Sequence, residues 1–218
     1  GYVVALDRSG HVLWEWQADA SVLSLAVSGD GGTIAVGSDR SIVYCFNRQG
    51  EALWEYTAGF RVTGVAVSRS GDAIVAFTDH VLYFDREGGL QWEAPDRRGG
   101  VTSYDSFNSF VDVSDEGNRI YAVILQCDED CWSYFYAFDR WGHELWSTEG
   151  YRHVWPFWLR AADDGQVLVL GSGSEDMPGG HHINHVHAFD ASGNLKWFFE
   201  GGDFAFQRVD VRVLVCES

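Results

Sequence analysis

One turn motif, Asp/Asn-x-x-Gly-x-x-x-Trp, occurs five times in the 218 residues of the chain. The five copies read DRSGHVLW, NRQGEALW, DREGGLQW, DRWGHELW and DASGNLKW, and they start at residues 7, 47, 85, 139 and 190. Successive motif tryptophans are separated by 40, 38, 54 and 51 residues. Self-similarity at such a period indicates a supersecondary unit that is repeated along the chain.

Each repeat contains the pattern of four short strands. Residues 21–56 give an alternating strand, a Gly/Asp turn, a second strand, a short link, a third strand, the motif turn and a fourth strand that carries Trp54. Short β-branched and aromatic runs between Gly/Asp turns are typical of antiparallel hairpins. Four such strands in about 40 residues form one propeller blade. The sequence therefore predicts an all-β propeller of five blade equivalents, a single domain over residues 1–218, anchored at Trp14, Trp54, Trp92, Trp146 and Trp197.

The two ends of the sequence complement each other. The chain opens with what the repeat makes a third and a fourth strand, YVVALD and VLWEW, and it finishes with RVDVRVLVCES, which matches a first strand and an abbreviated second. We expect these segments to pair in one composite blade, blade one, and to close a five-bladed ring. The alternative is that the sequence is an excerpt of a larger ring. The complete repeats are numbered blades two to five.

Each part of the motif has a mechanical role. The Asp or Asn side chain can accept a hydrogen bond from the backbone two residues further on, and Gly adopts the left-handed conformation that a tight turn requires. The Trp supplies a large apolar surface for the seam between neighbouring blades. Because an isolated blade leaves both faces uncovered, stacking around a ring is what stabilises the pattern.

The later motifs resemble a known family. The pattern AFD…G…LW is similar to the propeller repeats of the pyrroloquinoline-quinone-like superfamily, which are often also described as WD-repeat-like. It consists of Ala137, Phe138, Asp139, Gly142 and Trp146 in one copy and of Ala188, Phe189, Asp190, Gly193 and Trp197 in the next. The resemblance implies a propeller, and the family includes quinone dehydrogenases, outer-membrane assembly scaffolds and sensor ectodomains. The Asp-to-Gly turn is one residue shorter than the quinoprotein docking motif and no adjacent Cys-Cys pair occurs, so bound quinone is not expected.

Charge excludes two classes of partner. The chain has 15 basic and 32 acidic residues, a formal net charge of −17. Phosphate binding needs a basic surface, so neither nucleic acid nor an anionic membrane is an expected partner. No apolar run approaches the roughly 20 residues that cross a bilayer. A solvated acidic surface and attraction of cations or a basic partner both remain open.

The cysteines indicate the compartment. Cys127 and Cys131 lie in QCDEDCW, close enough to bridge across a hairpin, and no second Cys pair completes a zinc site. We expect a disulfide and therefore an extracellular, periplasmic or cell-surface location. Cys45 and Cys216 lie in apolar strands and are expected to be buried thiols.

The long connections fall on one side of the predicted ring. Turns between first and second strands and between third and fourth strands share one face of a propeller, and all of them are short. The insertions lie instead between second and third strands or between blades, at 94–107, 126–133, 171–184 and 198–206. We call these sides the tight-turn face and the elaborated face. Long loops on a rigid scaffold commonly carry binding, so the elaborated face of blades four and five is the predicted recognition surface.

Candidate binding residues lie near that face. Alignment of the first strands places Asp112, Arg160 and Asp210 where the regular blades have Ala26 and Ala66. First strands line the channel and buried charges persist when they are paired, so these residues form either a structural ion-pair network or the polar floor of a ligand pocket. Rim aromatics suit sugars, peptides or partner side chains, and the candidates are Tyr104, Trp155 and Trp158.

A histidine cluster is a candidate metal site. GGHHINHVH contains His181, His182, His185 and His187, and Glu175 and Asp176 lie nearby. Imidazole and carboxylate suit zinc, copper or nickel. No recognised ligand spacing occurs, and a polar loop of hydrogen-bonded histidines explains the cluster equally.

The predicted function is binding rather than catalysis. GSGS at 171–174 lacks the strand–Ser–helix context of a nucleophile elbow, no phosphate loop occurs, and no catalytic residue is assigned. We therefore expect a non-catalytic extracytoplasmic propeller that binds a protein or a glycan. One alternative is a metal-dependent or carboxylate-based enzyme with its site at the channel mouth. Another is a structural module of a larger surface protein.

Overall fold

The computed structural model describes residues 1–95, 110–127, 131–148, 151–152, 154–162, 168–174 and 183–201. Every regular element in these ranges is a β-strand, and almost all pairing is between strands adjacent in sequence and antiparallel. Across the same ranges, no helix has the length and hydrophobicity that a bilayer crossing requires. The predicted all-β class is confirmed.

The strands group into the predicted blades. Blade one is represented by a two-stranded sheet of β1 (Tyr2–Leu6) and β2 (Val12–Gln17). Blade two contains β3 (Val22–Val27), β4 (Thr33–Ser38), β5 (Ile42–Asn47) and β6 (Ala52–Thr57). Blade three contains β7 (Gly64–Val67), β8 (Ile74–Phe77), β9 (His80–Phe84) and β10 (Leu90–Pro95). Blade four contains β11 (Phe110–Val113), β12 (Arg119–Cys127), β13 (Cys131–Asp139), β14 (Glu144–Ser147) and β15 (Tyr151–Arg152). Blade five contains β16 (Val154–Ala161), β17 (Leu168–Ser174), β18 (Ile183–Phe189) and β19 (Leu195–Gly201).

The strand registers are the same in every complete blade. Starting from each motif tryptophan, the backbone pairing leads straight across the sheet to one residue of the first strand. We call this line of four residues the tryptophan row. The rows are Trp54, Cys45, Ala35 and Ala26 in blade two; Trp92, Tyr83, Val75 and Ala66 in blade three; Trp146, Ala137, Tyr121 and Asp112 in blade four; and Trp197, Ala188, Val169 and Arg160 in blade five.

The motif turns are built as the sequence predicts. In the turn of blade four, Oδ1 of Asp139 accepts hydrogen bonds from the backbone N–H of Trp141 and of His143, both at 2.9 Å. The glycine of that turn, Gly142, has φ 84°. A residue with a side chain would be strained in this left-handed conformation, so the Asp and the Gly together fix the reversal.

The motif tryptophan joins each blade to the next. The indole N–H of Trp54 donates to the carbonyl oxygen of Arg86 at 3.0 Å, and that of Trp92 donates to Arg140 at 2.9 Å. Each acceptor is the residue that follows the Asp of the next motif turn. Trp14 and Trp146 make the same bond across the seams on either side. Four motif tryptophans therefore lie at blade seams, and the role of Trp197 stays a prediction.

The hydrophobic core consists of the seams themselves. Four clusters of buried side chains occupy the spaces between blades one and two, two and three, three and four, and four and five. Each cluster includes one motif tryptophan as a partly buried member. Apolar burial contributes roughly 25 cal/mol per Å², so blades are stabilised chiefly by their neighbours.

The insertions of blades four and five are partly strand rather than loop. β12 and β13 each have nine residues and remain paired up to Cys127 opposite Cys131. β17 and β18 pair as far as Ser174 opposite Ile183, and β19 continues to Gly201. The regular blades have strands of four to six residues. The elaborated face therefore carries extended hairpins. The sequence predicted a hairpin at Cys127 and Cys131, and the insertion between β17 and β18 was interpreted as a loop.

Closure of the ring stays a prediction. The segment expected to complete blade one lies outside the described residues. Within the described part, the free face of the two-stranded sheet is solvent-exposed at Tyr2 (64%) and Leu13 (63%). In blade five, the side chain of the motif tryptophan Trp197 is 51% exposed.

Candidate functional site

The first-strand ends of the tryptophan rows lie side by side around the channel. The registers place Asp112 and Arg160 in the positions that Ala26 and Ala66 occupy in blades two and three. Two small residues are thus followed by two charged ones in neighbouring first strands. Asp210, the third charged residue of the sequence alignment, lies outside the described residues.

Asp112 connects blade four to blade five. Its side chain is buried, and its Oδ2 accepts a hydrogen bond from the backbone N–H of Ala161 at 2.7 Å. Its Oδ1 accepts from the backbone N–H of Val113 at 3.0 Å and lies 3.8 Å from Nη1 of Arg160. The structure therefore brings two of the predicted site residues together, and the Asp112 carboxylate connects the first strand of blade four to that of blade five.

The two partners differ sharply in solvent access. The Arg160 side chain is 59% exposed, whereas that of Asp112 is 10% exposed. Burial raises the pKa of Asp112 to about 6, against the opposing effects of the Arg160 charge and of the backbone hydrogen bonds. Desolvation disfavours an ionised carboxylate, and an exposed arginine at 3.8 Å compensates only part of that cost.

Both side chains line a cleft of about 410 Å³ at the channel. The lining comes from the last residues of the first strands and from the turns that follow them, including Gly29, Arg69 and Asp115. Because those turns connect first and second strands, the cleft opens on the tight-turn face. The sequence left two interpretations of Asp112 and Arg160 open, an ion-pair network or the floor of a ligand pocket, and only the second associated them with the elaborated face.

The walls of the cleft combine apolar surface with paired charges. Leu25 and Val27 on β3 are each 49% exposed. Opposite charges meet at the turns, where Nε of Arg69 donates to Oδ2 of Asp115 at 2.5 Å. The backbone N–H of Arg69 also donates to the carbonyl oxygen of Asp115. This second link between blades was missed in the sequence, because residues in tight polar turns were interpreted only as turn formers.

The predicted rim aromatics are only partly described. Trp158 lies on β16 at a bulge between Pro156 and Trp158, and its side chain is half-buried. The backbone of Trp155 belongs to the same strand, but its side chain is outside the described part. Tyr104 also lies outside the described residues. Their roles in binding stay predictions.

The histidine cluster is described at one side chain. His187 is buried on β18, with ring centroids 5.7 Å from Tyr151 and 6.4 Å from Phe198. His181 and His182 lie outside the described residues, and only the backbone of His185 is included. Within the described ranges no group of three or more His, Cys, Asp or Glu side chains could hold a metal ion. The candidate metal site stays untested.

One of the cysteine predictions is confirmed, and the others stay predictions. Cys45 is a buried free thiol, as expected, and burial raises its pKa to about 11. Cys127 and Cys131 are backbone partners at the end of the β12–β13 hairpin. Directly opposed residues in an antiparallel pair have the Cα spacing that a disulfide needs. The backbone pairing is therefore compatible with the predicted disulfide, which stays a prediction. Cys216 lies outside the described residues.

Sheets of four antiparallel strands, joined side by side through seams and lined by their first strands around a cleft, define a β-propeller. Searches of known proteins agree at the level of fold. No protein-family model and no curated protein matches the chain. In contrast, 1098 chains of known structure match it, so the architecture is common and does not by itself indicate a function.

One solved structure that the chain resembles is the crystal structure of BamB from Moraxella catarrhalis. The TM-score is 0.56 at 14% sequence identity, and the match covers 91% of this chain and 67% of the BamB chain. At this identity the likeness establishes a shared propeller fold.

Proposed function

We propose that the chain is a non-catalytic propeller that binds a protein partner through the elaborated face of blades four and five, outside the cytoplasm. The observation that supports this most strongly is Phe198 on β19, which is 58% exposed. The residue that follows the motif tryptophan is exposed in every blade, and elsewhere it is polar: Glu15, Glu55, Glu93 and Ser147. Blade five alone has a large aromatic ring there.

Trp197 and Phe199, the neighbours of Phe198 on the same outer strand, are 51% and 56% exposed. Successive side chains of a strand point to opposite faces, so these two share the face of the motif tryptophan and Phe198 lies on the other one. The proposal therefore rests on Phe198. Aromatic residues are enriched at protein interfaces, where they often supply most of the binding energy.

The location and the class of function draw on the family resemblance. BamB shares the fold, and the repeats resemble a superfamily that includes outer-membrane assembly scaffolds and sensor ectodomains. Binding without chemistry by an extracytoplasmic propeller is consistent with that range. The predicted disulfide between Cys127 and Cys131 points to the same compartment.

The experiment is site-specific photo-crosslinking in cells of the source organism. A photoreactive phenylalanine analogue replaces Phe198 in one variant and Leu53 in a second. Leu53 is a matched control because it lies on the outer strand of regular blade two and is 48% exposed. We expect a defined protein adduct at position 198 and none at 53.

Purified components then test the adduct. The identified protein should bind the unmodified chain, and Phe198→Glu should weaken binding at least about tenfold, while Leu53→Glu leaves it unchanged. Trp158→Ala should also weaken binding with little change in Tm. Equal adducts at both positions, or undiminished binding by the Phe198→Glu variant, would contradict the proposal. So would saturable binding of a glycan at this surface.

A further inference from the structure

The motif turn of blade four carries an aromatic ring that the other turns lack. Trp141 occupies the second position after the Asx residue, and its side chain is 68% exposed. Hydrogen bonds to Oδ1 of Asp139 hold the turn in the geometry common to the repeats, so the indole is not needed for the reversal. The same position is small or polar in the other four turns, as Ser9, Gln49, Glu87 and Ser192.

Blade three departs from the repeat at two positions. The fourth residue after the Asx contacts the Asx side chain in every other motif turn, but in blade three it is Gly89. The residue before the motif tryptophan is Leu in blades one, two and four and Lys in blade five, but in blade three it is Gln91. Nε2 of Gln91 donates to Oδ2 of Asp85 at 2.6 Å. Gln91 thus supplies the missing contact to Asp85, and no described residue donates to its amide oxygen.

These departures meet in one pocket of about 280 Å³ on the tight-turn face, which we call the Trp141 pocket. Arg140 and Trp141 line it from blade four, and Asp72, Asp85 and Gln91 line it from blade three. It shares no lining residue with the cleft at the channel. Residues that depart from the repeat on two different blades and converge on one pocket indicate a site.

Tyr83 and Trp92 form a fixed wall of the Trp141 pocket. Their ring centroids are 5.2 Å apart and the ring planes are 6° from parallel. The indole N–H of Trp92 donates to the carbonyl oxygen of Arg140 at 2.9 Å, and the Tyr83 hydroxyl donates to the carbonyl oxygen of Gly117 at 3.3 Å. Because both rings are held in this way, the wall is in place before a ligand binds, which lowers the cost of binding.

The chemistry of the Trp141 pocket favours a neutral ligand that carries hydroxyl groups. The carboxylates of Asp72 and Asp85 disfavour an anion, and the Arg140 guanidinium disfavours a cation. The exposed indole offers a flat apolar face, and the amide, guanidinium and carboxylate groups beside it accept and donate hydrogen bonds. A sugar ring complements both features, because it has an apolar C–H face and a rim of hydroxyl groups.

We propose that the Trp141 pocket binds one neutral sugar residue. The ring stacks on the Trp141 indole, and its hydroxyl groups form hydrogen bonds with Gln91, Arg140 and Asp72. Ligand pockets commonly enclose roughly 300–1,000 Å³, so a volume of about 280 Å³ suits a single sugar unit rather than a longer stretch of glycan. The site is separate from Phe198, which lies on the outer strand of blade five.

An NMR titration of the intact chain tests the proposal. The probes are the methyl glycosides of glucose, galactose, mannose and N-acetylglucosamine, with tetramethylammonium and acetate as charged comparisons. At least one glycoside should shift the indole N–H resonance of Trp141 saturably, with a Kd below about 10 mM, and neither ion should shift it. No saturable shift with any of the four glycosides would overturn the proposal. A saturable shift with either ion would also overturn it.

Two variants that restore the repeat test the contacts. Trp141→Ser introduces the turn residue of blades one and five and should weaken glycoside binding at least about tenfold. Gln91→Leu introduces the residue of blades one, two and four and should weaken it at least about fivefold. Binding is followed on the resonances of the glycoside, and an unchanged indole resonance of Trp92 shows that the seam is intact. Undiminished binding by either variant would overturn the proposal.

The matched control moves the exposed ring to another blade. The double variant Trp141→Ser, Gln49→Trp places the indole in the same turn position of blade two, where the preceding blade has no counterpart of Gly89 or Gln91. It should bind the glycoside no better than Trp141→Ser does. Binding equal to wild type would show that an exposed turn tryptophan is sufficient, and it would overturn the proposed pocket.

The sugar site and the protein surface are tested separately. Phe198→Glu should leave glycoside binding unchanged, and Trp141→Ser should leave binding of the protein partner unchanged. Either proposal can therefore fail while the other stands. Loss of protein binding in Trp141→Ser would assign this ring to a protein interface and overturn the sugar site.

Discussion

Asp112 is the residue whose environment departs furthest from that of its counterparts. Ala26 and Ala66 fill the same row position with a methyl group and need no polar partner. Asp112 is buried and satisfies its two oxygens with backbone N–H groups of its own strand and of β16. The hydrogen bonds join two blades, but the ionised carboxylate is still disfavoured by burial.

We predict a pH-dependent contribution of Asp112 to stability with a sign opposite to that of most aspartates. Its pKa is raised from 3.8 to about 6, so between these values the folded chain binds more protons than the unfolded chain. The protonated Asp112 side chain therefore adds its full contribution to the free energy of unfolding below pH 3.8. That contribution is lost as pH rises to about 6, which lowers the free energy of unfolding by about 3 kcal/mol.

Urea unfolding from pH 4 to pH 7 measures this effect. Asparagine does not titrate, so the free energy of unfolding of Asp112→Asn should rise relative to that of wild type between pH 4 and pH 7, by about 3 kcal/mol at most. A constant difference between Asp112→Asn and wild type would contradict the assigned pKa.

Two glycines separate backbone strain from seam packing. Gly88 has φ 85°, and a Cβ there would come within 2.6 Å of the Trp54 ring. Gly10 has the same kind of turn with φ 84°, and nothing lies within 4 Å of its added Cβ. Gly10→Ala should cost about 1–2 kcal/mol for the left-handed conformation alone. Gly88→Ala should cost about 1–3 kcal/mol more, because it also overpacks the seam.

Chemical denaturation of the two variants gives this difference directly. Equal losses in the free energy of unfolding would contradict the expected difference. They would show either that the tryptophan does not occupy the space above Gly88 or that the turn of blade one is covered as tightly as that of blade three.

At the scale of elements, the blades follow from the sequence because each strand and turn is specified locally. The Asx side chain, the left-handed glycine and the alternating strand pattern recur with small changes, so alignment of the first strands located the row residues. The extended hairpins could not be recognised in this way. Aspartate residues such as those of QCDEDCW favour turns, whereas the pairing up to Cys127 and Cys131 depends on the neighbouring strands.

The side on which the cleft opens was overlooked in the sequence. Asp112 and Arg160 were identified as neighbours from the alignment of first strands. Asp112 precedes the tight turn at Asp115 by only a few residues, so the row lies near the turns that contain Arg69 and Asp115 and the cleft opens there.

We predict that the β12–β13 hairpin is fastened by a disulfide. Cys127 and Cys131 are backbone partners, and only residues 128–130 separate them. Chain purified without reductant should show no alkylation of either cysteine under denaturing conditions, and full alkylation after reduction. Cys45 is an internal control, because it should react in both cases once the chain is unfolded. Alkylation of Cys127 or Cys131 before reduction would contradict the prediction and remove one argument for an oxidising compartment.

The whole molecule is organised by a division between its two faces. Short turns cap the blades on one side, where charge pairs and Asp112 connect the first strands around the cleft. Extended hairpins lie on the other side. The net charge of −17 helps to keep the rest of the surface solvated.

The central claim is that indole-to-turn seams hold successive blades together, and hydrogen exchange of the indole N–H groups by NMR tests it most directly. Trp14, Trp54, Trp92 and Trp146 donate to carbonyl oxygens of the next blade, whereas Trp141 is 68% exposed. With resonances assigned by single Trp→Phe variants, the four seam indoles should exchange at least about tenfold more slowly than Trp141. Exchange of the four at the rate of Trp141 would contradict the propeller seams and the account built on them.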